Sequence, residues 1–90
     1  MTKTELITLI KQEIADRFEK PLDTIGDDTN VLADLGADSL DMTEILVAIE
    51  DKLGVRVDDD NIERLGTAAE LAQFLEGYLI SIGYNATANN

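Results

Sequence analysis

Residues 35–54 read Leu-Gly-Ala-Asp-Ser-Leu-Asp-Met-Thr-Glu-Ile-Leu-Val-Ala-Ile-Glu-Asp-Lys-Leu-Gly, and the periodicity of this stretch decides the fold. Laid on a helical wheel from Leu40, the side chains of Met42, Ile45, Leu46, Ile49 and Leu53 fall within roughly 140–240°. That is one stripe wide enough to face a core. Leu40 and Val47 fall near roughly 0° and −20° on the opposite side. Thr43 and Ala48 flank them, and Asp41, Glu44, Glu50 and Asp51 surround them. An apolar centre with a charged rim is how an interaction surface is commonly arranged. Gly54 ends the helix, and Gly36 allows the tight backbone before it. Asp38 supplies an N-cap, which places Ser39 in the first turn. There the helix dipole and unpaired backbone N–H groups favour an anion, a phosphate included.

Working outward, residues 3–19 form a first amphipathic helix. Leu6, Ile10, Ile14 and Phe18 recur every four positions with Ile7 beside them, and Thr2 with Glu5 has the capping-box form. Pro21 stops it, and residues 20–34 read as a long loop with turn signals at Gly26, Asp27, Asp28 and Asn30. Leu22, Ile25, Val31, Leu32 and Leu35 are spaced along it as anchors. After Gly54 and a short apolar link at Val55-Arg56-Val57, the acidic triplet Asp58-Asp59-Asp60 opens a short helix to Leu65, stopped by Gly66. One or two turns are unstable alone, so this is expected to be the most mobile regular element. The triplet does not fit a calcium loop, because Ile62 would stand at a ligand position and Glu63 where the glycine belongs. Thr67 and Glu70 form a second capping box, and Leu71, Phe74, Leu75, Tyr78, Leu79 and Ile82 carry a helical period as far as Gly83. The expectation is an all-α four-helix bundle with three longer helices and one short helix between the last two. Residues 1–83 make a single domain, and 84–90 a polar tail.

Composition bounds the chemistry. The chain has 90 residues with 44% hydrophobic and 4% aromatic content, so the core is built from aliphatic side chains. With no Cys and no His, Ser-His-Asp and Cys-His catalysis and the usual zinc sites are excluded. Asp and Glu number 19 against 7 Lys and Arg, a net charge of −12. Such a surface repels nucleic acid and anionic lipid and draws basic partners. Between Asp38 and Glu63, nine acids stand against Lys52 and Arg56, which places −7 of that charge on the segment following Ser39. No apolar run reaches the roughly 18–20 residues of a membrane span, and residues 1–5 lack the apolar core of a signal peptide, so a cytoplasmic protein without stable membrane insertion is expected.

The run Leu35 to Asp41, followed by Glu44, Glu50-Asp51, Gly54, Val57 and Asp58-Asp59, resembles the bacterial acyl carrier proteins of dissociated fatty-acid or polyketide synthesis. The similarity extends from about Leu6 to about Tyr78. It implies that Ser39 receives 4′-phosphopantetheine from coenzyme A through a phosphopantetheinyl transferase and carries acyl chains as thioesters on the thiol of that arm. A non-catalytic monomer is then expected, since acyl-transferring, condensing and modifying enzymes with basic docking patches supply the chemistry. The resemblance further implies a partner face of Asp38, Leu40, Asp41, Glu44, Val47, Glu50, Asp51, Asp59 and Glu63. An acyl chain would enter near Met42, Leu46, Ile62, Leu65, Ala68 and Leu71. Departures stand at Lys52 and Arg56, where such carriers more often have acids, at Asp58 for a usual proline, at Leu53 for a common Phe, and at Thr43 for an aliphatic residue. They leave room for a carrier of one specialised pathway. A peptidyl carrier and a cofactor-free acidic interaction module remain as alternatives, and a Ser39 hydrolase ranks last because no His can activate it.

Overall fold

The computed structural model describes residues 2–57 and 65–83, and every regular element among them is helical. Helix α1 spans Lys3–Phe18, α2 Val31–Asp34, α3 Ser39–Leu53 and α4 Ala68–Ser81, with a 3-10 turn at Leu22–Thr24. The three longer helices stand where their periodicity places them. The short helix expected over Asp58–Leu65 lies outside the described residues except for Leu65, as does the tail 84–90.

Local chemistry sets the boundaries. The Thr2 and Thr67 hydroxyls accept from the N–H of Glu5 and Glu70, and each glutamate carboxylate accepts from the cap residue's own N–H, so both capping boxes form. Helix α1 ends at Glu19, which takes the left-handed conformation at φ 54° and donates its N–H to the Ala15 carbonyl. Helix α1 packs against both α3 and α4. Leu6, Ile10 and Ile14 from α1, Met42, Ile45, Ile49 and Leu53 from α3, and Leu71, Ala72, Leu75 and Leu79 from α4 fill one core. The stripe read from the wheel is thus the buried one. Phe18 and Ile7 pack at its margin, half-buried.

The segment 20–34 is more ordered than its turn signals imply. Asn30 Oδ1 accepts from the Ala33 N–H at 2.9 Å, and Asp34 Oδ2 accepts from the Asn30 N–H at 3.0 Å. This reciprocal cap starts α2, a single turn within the expected loop. Val31, its first residue, is fully buried. Its N–H donates to the Gly66 carbonyl at 2.7 Å, and its carbonyl accepts from Leu35 and Ala37 at 3.2 and 3.1 Å. A further bond runs from the Ala69 N–H to the Asp27 carbonyl at 3.2 Å. The segment leading to Ser39 is therefore laced to the start of α4.

Gly66 is buried where the two segments cross, and a Cβ there would stand 3.0 Å from Asn30 Oδ1 and 3.2 Å from its Nδ2. Moving that carboxamide aside breaks the α2 cap. Gly66→Ala should therefore destabilise the domain by about 1–2 kcal/mol, the scale of a lost cap, read as a lower urea midpoint with an unchanged slope. A wild-type midpoint would show that Asn30 relaxes without cost.

Candidate functional site

Ser39 is the first residue of α3, and its side chain is exposed. Gly36 precedes it at φ 71°, a left-handed conformation that turns the chain from α2 into α3. The cap that follows is built from two acids. Asp38 Oδ1 accepts from the Asp41 N–H at 2.9 Å, and Asp41 Oδ2 accepts from the Asp38 N–H at 3.1 Å. The Met42 N–H goes to the Asp38 carbonyl at 3.1 Å. The first-turn N–H groups of Ser39 and Leu40 have no acceptor among the described residues. One hydroxyl thus stands at the positive end of a 15-residue helix with two backbone donors beside it.

Leu40 and Val47 lie on the outer face of α3, 61% and 47% exposed. Thr43 lies between them, its hydroxyl donating to the Ser39 carbonyl at 2.9 Å. Asp38, Glu44 and Asp51 are exposed and Asp41 partly so. Asp59 and Glu63, expected on the same face, lie outside the described residues.

Glu50 is placed differently from its expected position on that face. It is only 8% exposed, and its Oε2 accepts from the Val57 N–H at 2.5 Å, which folds the 55–57 link back onto α3. On the wheel Glu50 falls at roughly −80° from Leu40, between the two faces, and backbone pairing draws it to the inner one. Tyr78 completes this support by donating its hydroxyl to the Arg56 carbonyl at 2.7 Å.

Arg17 is the residue that the sequence did not single out. It reaches from the last turn of α1 across to α3, where Nε and Nη2 donate to Asp41 Oδ1 at 3.1 and 2.7 Å, while Nη1 pairs with Glu44 Oε1. The bond to Asp41 raises the arginine pKa, and the same bond, aided by the Asp38 N–H, lowers that of Asp41. Lys52, one of the departures, likewise turns inward to the carboxylate of the buried Glu13, which raises its own pKa. Two cations, in three ion pairs, thus tie α1 to α3. The signal for both was the spacing of opposite charges on two antiparallel helices, which becomes visible only once their register is known.

The acyl-pocket candidates Met42, Leu46, Ala68 and Leu71 are buried core residues, Leu65 is half-buried, and Ile62 lies outside the described residues. An open groove of about 420 Å³ runs beside α3, lined by Thr43, Leu46, Val47, Glu50, Arg56 and Val57. It shares only Leu46 with that set.

Residues 8–75 match the family described as "Phosphopantetheine attachment site". The chain is 35% identical over 78 residues to the acyl carrier protein of Lactobacillus acidophilus, covering 87% of this chain and 98% of that protein. It is 37% identical over 83 residues to acyl carrier protein 3 of Ralstonia nicotianae, covering 92% and 95%. The solved structure of the acyl carrier protein from Enterococcus faecalis superimposes with a TM-score of 0.69 at 26% identity, covering 86% of this chain and 98% of that one.

Two outcomes test the carboxylate assignments. Because the folded pKa of Asp41 is depressed, its contribution to stability is present above the unfolded value of about 3.9 and is lost as pH falls through the folded value. A carboxyl ¹³C titration should place the Asp41 midpoint below the ordinary aspartate value of about 3.9, and a midpoint at that value would contradict the Arg17 pairing. Glu50→Ala should cost about 1.5–3 kcal/mol, the range for a hydrogen bond to a charged group, and speed amide exchange at Val57; a surface docking role would move neither.

Proposed function

The chain belongs to the acyl carrier proteins, non-catalytic carriers that use 4′-phosphopantetheine, and from that premise we propose that Ser39 is the residue that bears the arm. The observation that carries the assignment is an exposed hydroxyl in the first turn of α3, next to two backbone N–H groups without an acceptor among the described residues. The fit to a phosphodiester is direct. Its negative charge would meet the helix dipole and those donors, which offset the acids Asp38 and Asp41 nearby. Gly36 leaves open space before it, since a Cβ built there meets no atom of the described residues within 4 Å.

When attached, the arm supplies the thiol that neither Cys nor any other side chain of this protein provides, and holds acyl groups on it as thioesters. What the protein itself contributes is position and recognition. Ser39 is fixed by the reciprocal cap of Asp38 and Asp41, so the tether begins at a defined point. Leu40 and Val47 give partner enzymes an apolar contact one residue and just over two turns from it. Asp38, Asp41, Glu44 and Asp51 surround that contact with charge, which speeds encounter with basic docking patches and sets orientation more than affinity. Glu50 stays out of this face and supports the 55–57 link.

The proposed cargo is an acyl intermediate of fatty-acid synthesis or of a specialised lipid or polyketide pathway. Supporting a specialised role, Lys52 is engaged by Glu13, and Arg56 lines the groove beside Val47. A cation at that edge changes what an all-acidic face would select.

Incubation with coenzyme A and a phosphopantetheinyl transferase should raise the intact mass by one phosphopantetheine group, with the modified peptide containing Ser39. Ser39→Ala should remove the shift while helicity is retained. A shift that survives Ser39→Ala would place the arm elsewhere.

A further inference from the structure

The acids nearest Ser39 are not free. Asp41 has both carboxylate oxygens engaged, Oδ1 by Nε and Nη2 of Arg17 and Oδ2 by the Asp38 N–H. Glu44 Oε1 holds the remaining guanidinium nitrogen, so all three nitrogens of Arg17 are committed to two carboxylates one turn apart on α3. The side chains involved are 37%, 24% and 47% exposed, so the cluster faces outward on the flank of the surface that carries Leu40. Its charge is −1, where the two acids alone would present −2.

Two physical consequences follow from this geometry. Pairing raises the Arg17 pKa further above an already high value, so no physiological pH releases the acids. Exposed ion pairs, on the other hand, add little stability and are screened by salt, so a competing charge opens the cluster readily. A cluster that pH does not open and a partner's charges do is suited to discriminating among partners.

We propose that Arg17 is a specificity-determining residue: it masks Asp41 and Glu44 from purely basic docking patches and favours partners that present a carboxylate among their basic groups. On docking, that carboxylate receives Arg17 while the neighbouring cations take Asp41 and Glu44, so no charge is left unpaired at the contact. A patch without the carboxylate must either share its acceptors with Arg17 or displace it into water beside its own positive charges. This rests on the docking role proposed above for Asp41 and Glu44.

The test uses the full-length chain and two helical peptides, one with six lysines and one with a single lysine replaced by glutamate. Titrations at about 20 mM salt, followed by fluorescence anisotropy, compare wild type with Arg17→Gln and Arg17→Lys. The all-lysine peptide should bind Arg17→Gln roughly three- to tenfold more tightly than wild type, a gain that shrinks near 1 M salt. Arg17→Lys, which keeps the charge and loses the fork, should fall between them. With the glutamate peptide the preference for Arg17→Gln should vanish or reverse. Equal affinity of the all-lysine peptide for all three proteins, or a preference that the glutamate leaves unchanged, overturns the proposal. Ser39 loading is measured on the same samples. Normal loading with equal peptide affinities refutes the masking alone, whereas absent loading refutes the carrier assignment and leaves the affinity ratios to decide the masking.

Discussion

The backbone bonds of Val31 are the constraint on which the geometry at Ser39 depends. Its N–H meets the Gly66 carbonyl and its carbonyl receives Leu35 and Ala37, so one buried residue joins the start of α4 to the turn that launches α3. A 15-residue helix has no intrinsic reason to begin at one residue rather than the next. Here the carbonyl of Val31 fixes Ala37, Gly36 supplies the left-handed turn, and Asp38 is delivered in extended geometry, ready to cap. Buried backbone groups must find partners, and this small network finds them without a strand or a disulfide. Glycine suits position 66, because a Cβ there would stand 3.0 Å from the Asn30 carboxamide, which would have to shift to admit it.

Net charge misleads about the surface until its pairing is known. A value of −12 suggests a uniformly acidic face. The structure instead spends two of the seven cations holding α1 to α3, at Arg17 and Lys52, and uses Glu13 and Glu50 as buried acceptors rather than as surface charge. What remains on the outside of α3 is graded. Asp38 and Asp51 are exposed at its two ends, while Asp41 and Glu44 are shared with Arg17. An apolar centre at Leu40 and Val47 therefore sits in a field that varies along the helix, and such variation carries more information about a partner than uniform charge does.

The sequence made α1, α3 and α4 legible because each has a long period, an N-cap signal and an aliphatic stripe, three signals that agree. Ser39, Leu40 and Val47 were legible for the same reason, since a helix whose buried stripe is known leaves its other face known as well. Helix α2 was not, because a single turn has no period to detect and its Asn30–Asp34 cap uses residue types shared with turns. Glu50 and Arg17 failed for a different reason. A residue at the border between two faces is assigned by what it bonds, and Val57 and Asp41 come into reach only through tertiary folding. Lys52 was noticed as a departure, but its pairing with Glu13 depends on the register between α1 and α3.

These same features favour the tether role proposed for Ser39 over a nucleophilic one. A catalytic serine needs a base within hydrogen-bond reach and donors placed around a developing oxyanion. With no His in the chain the base would have to be a carboxylate or a lysine, yet Asp38 and Asp41 use oxygens on each other's N–H groups, Asp41 is further held by Arg17, and Lys52 on the same helix is paired with Glu13. Those bonds stabilise the charged, weakly basic form of Asp41. Ser39 and Leu40 are both exposed, and water at such a site would screen an oxyanion, whereas a permanent anion needs only modest compensation there. An exposed hydroxyl, a helix dipole and carboxylates already occupied with structure make a good place to attach a charged group and a poor place to break a bond.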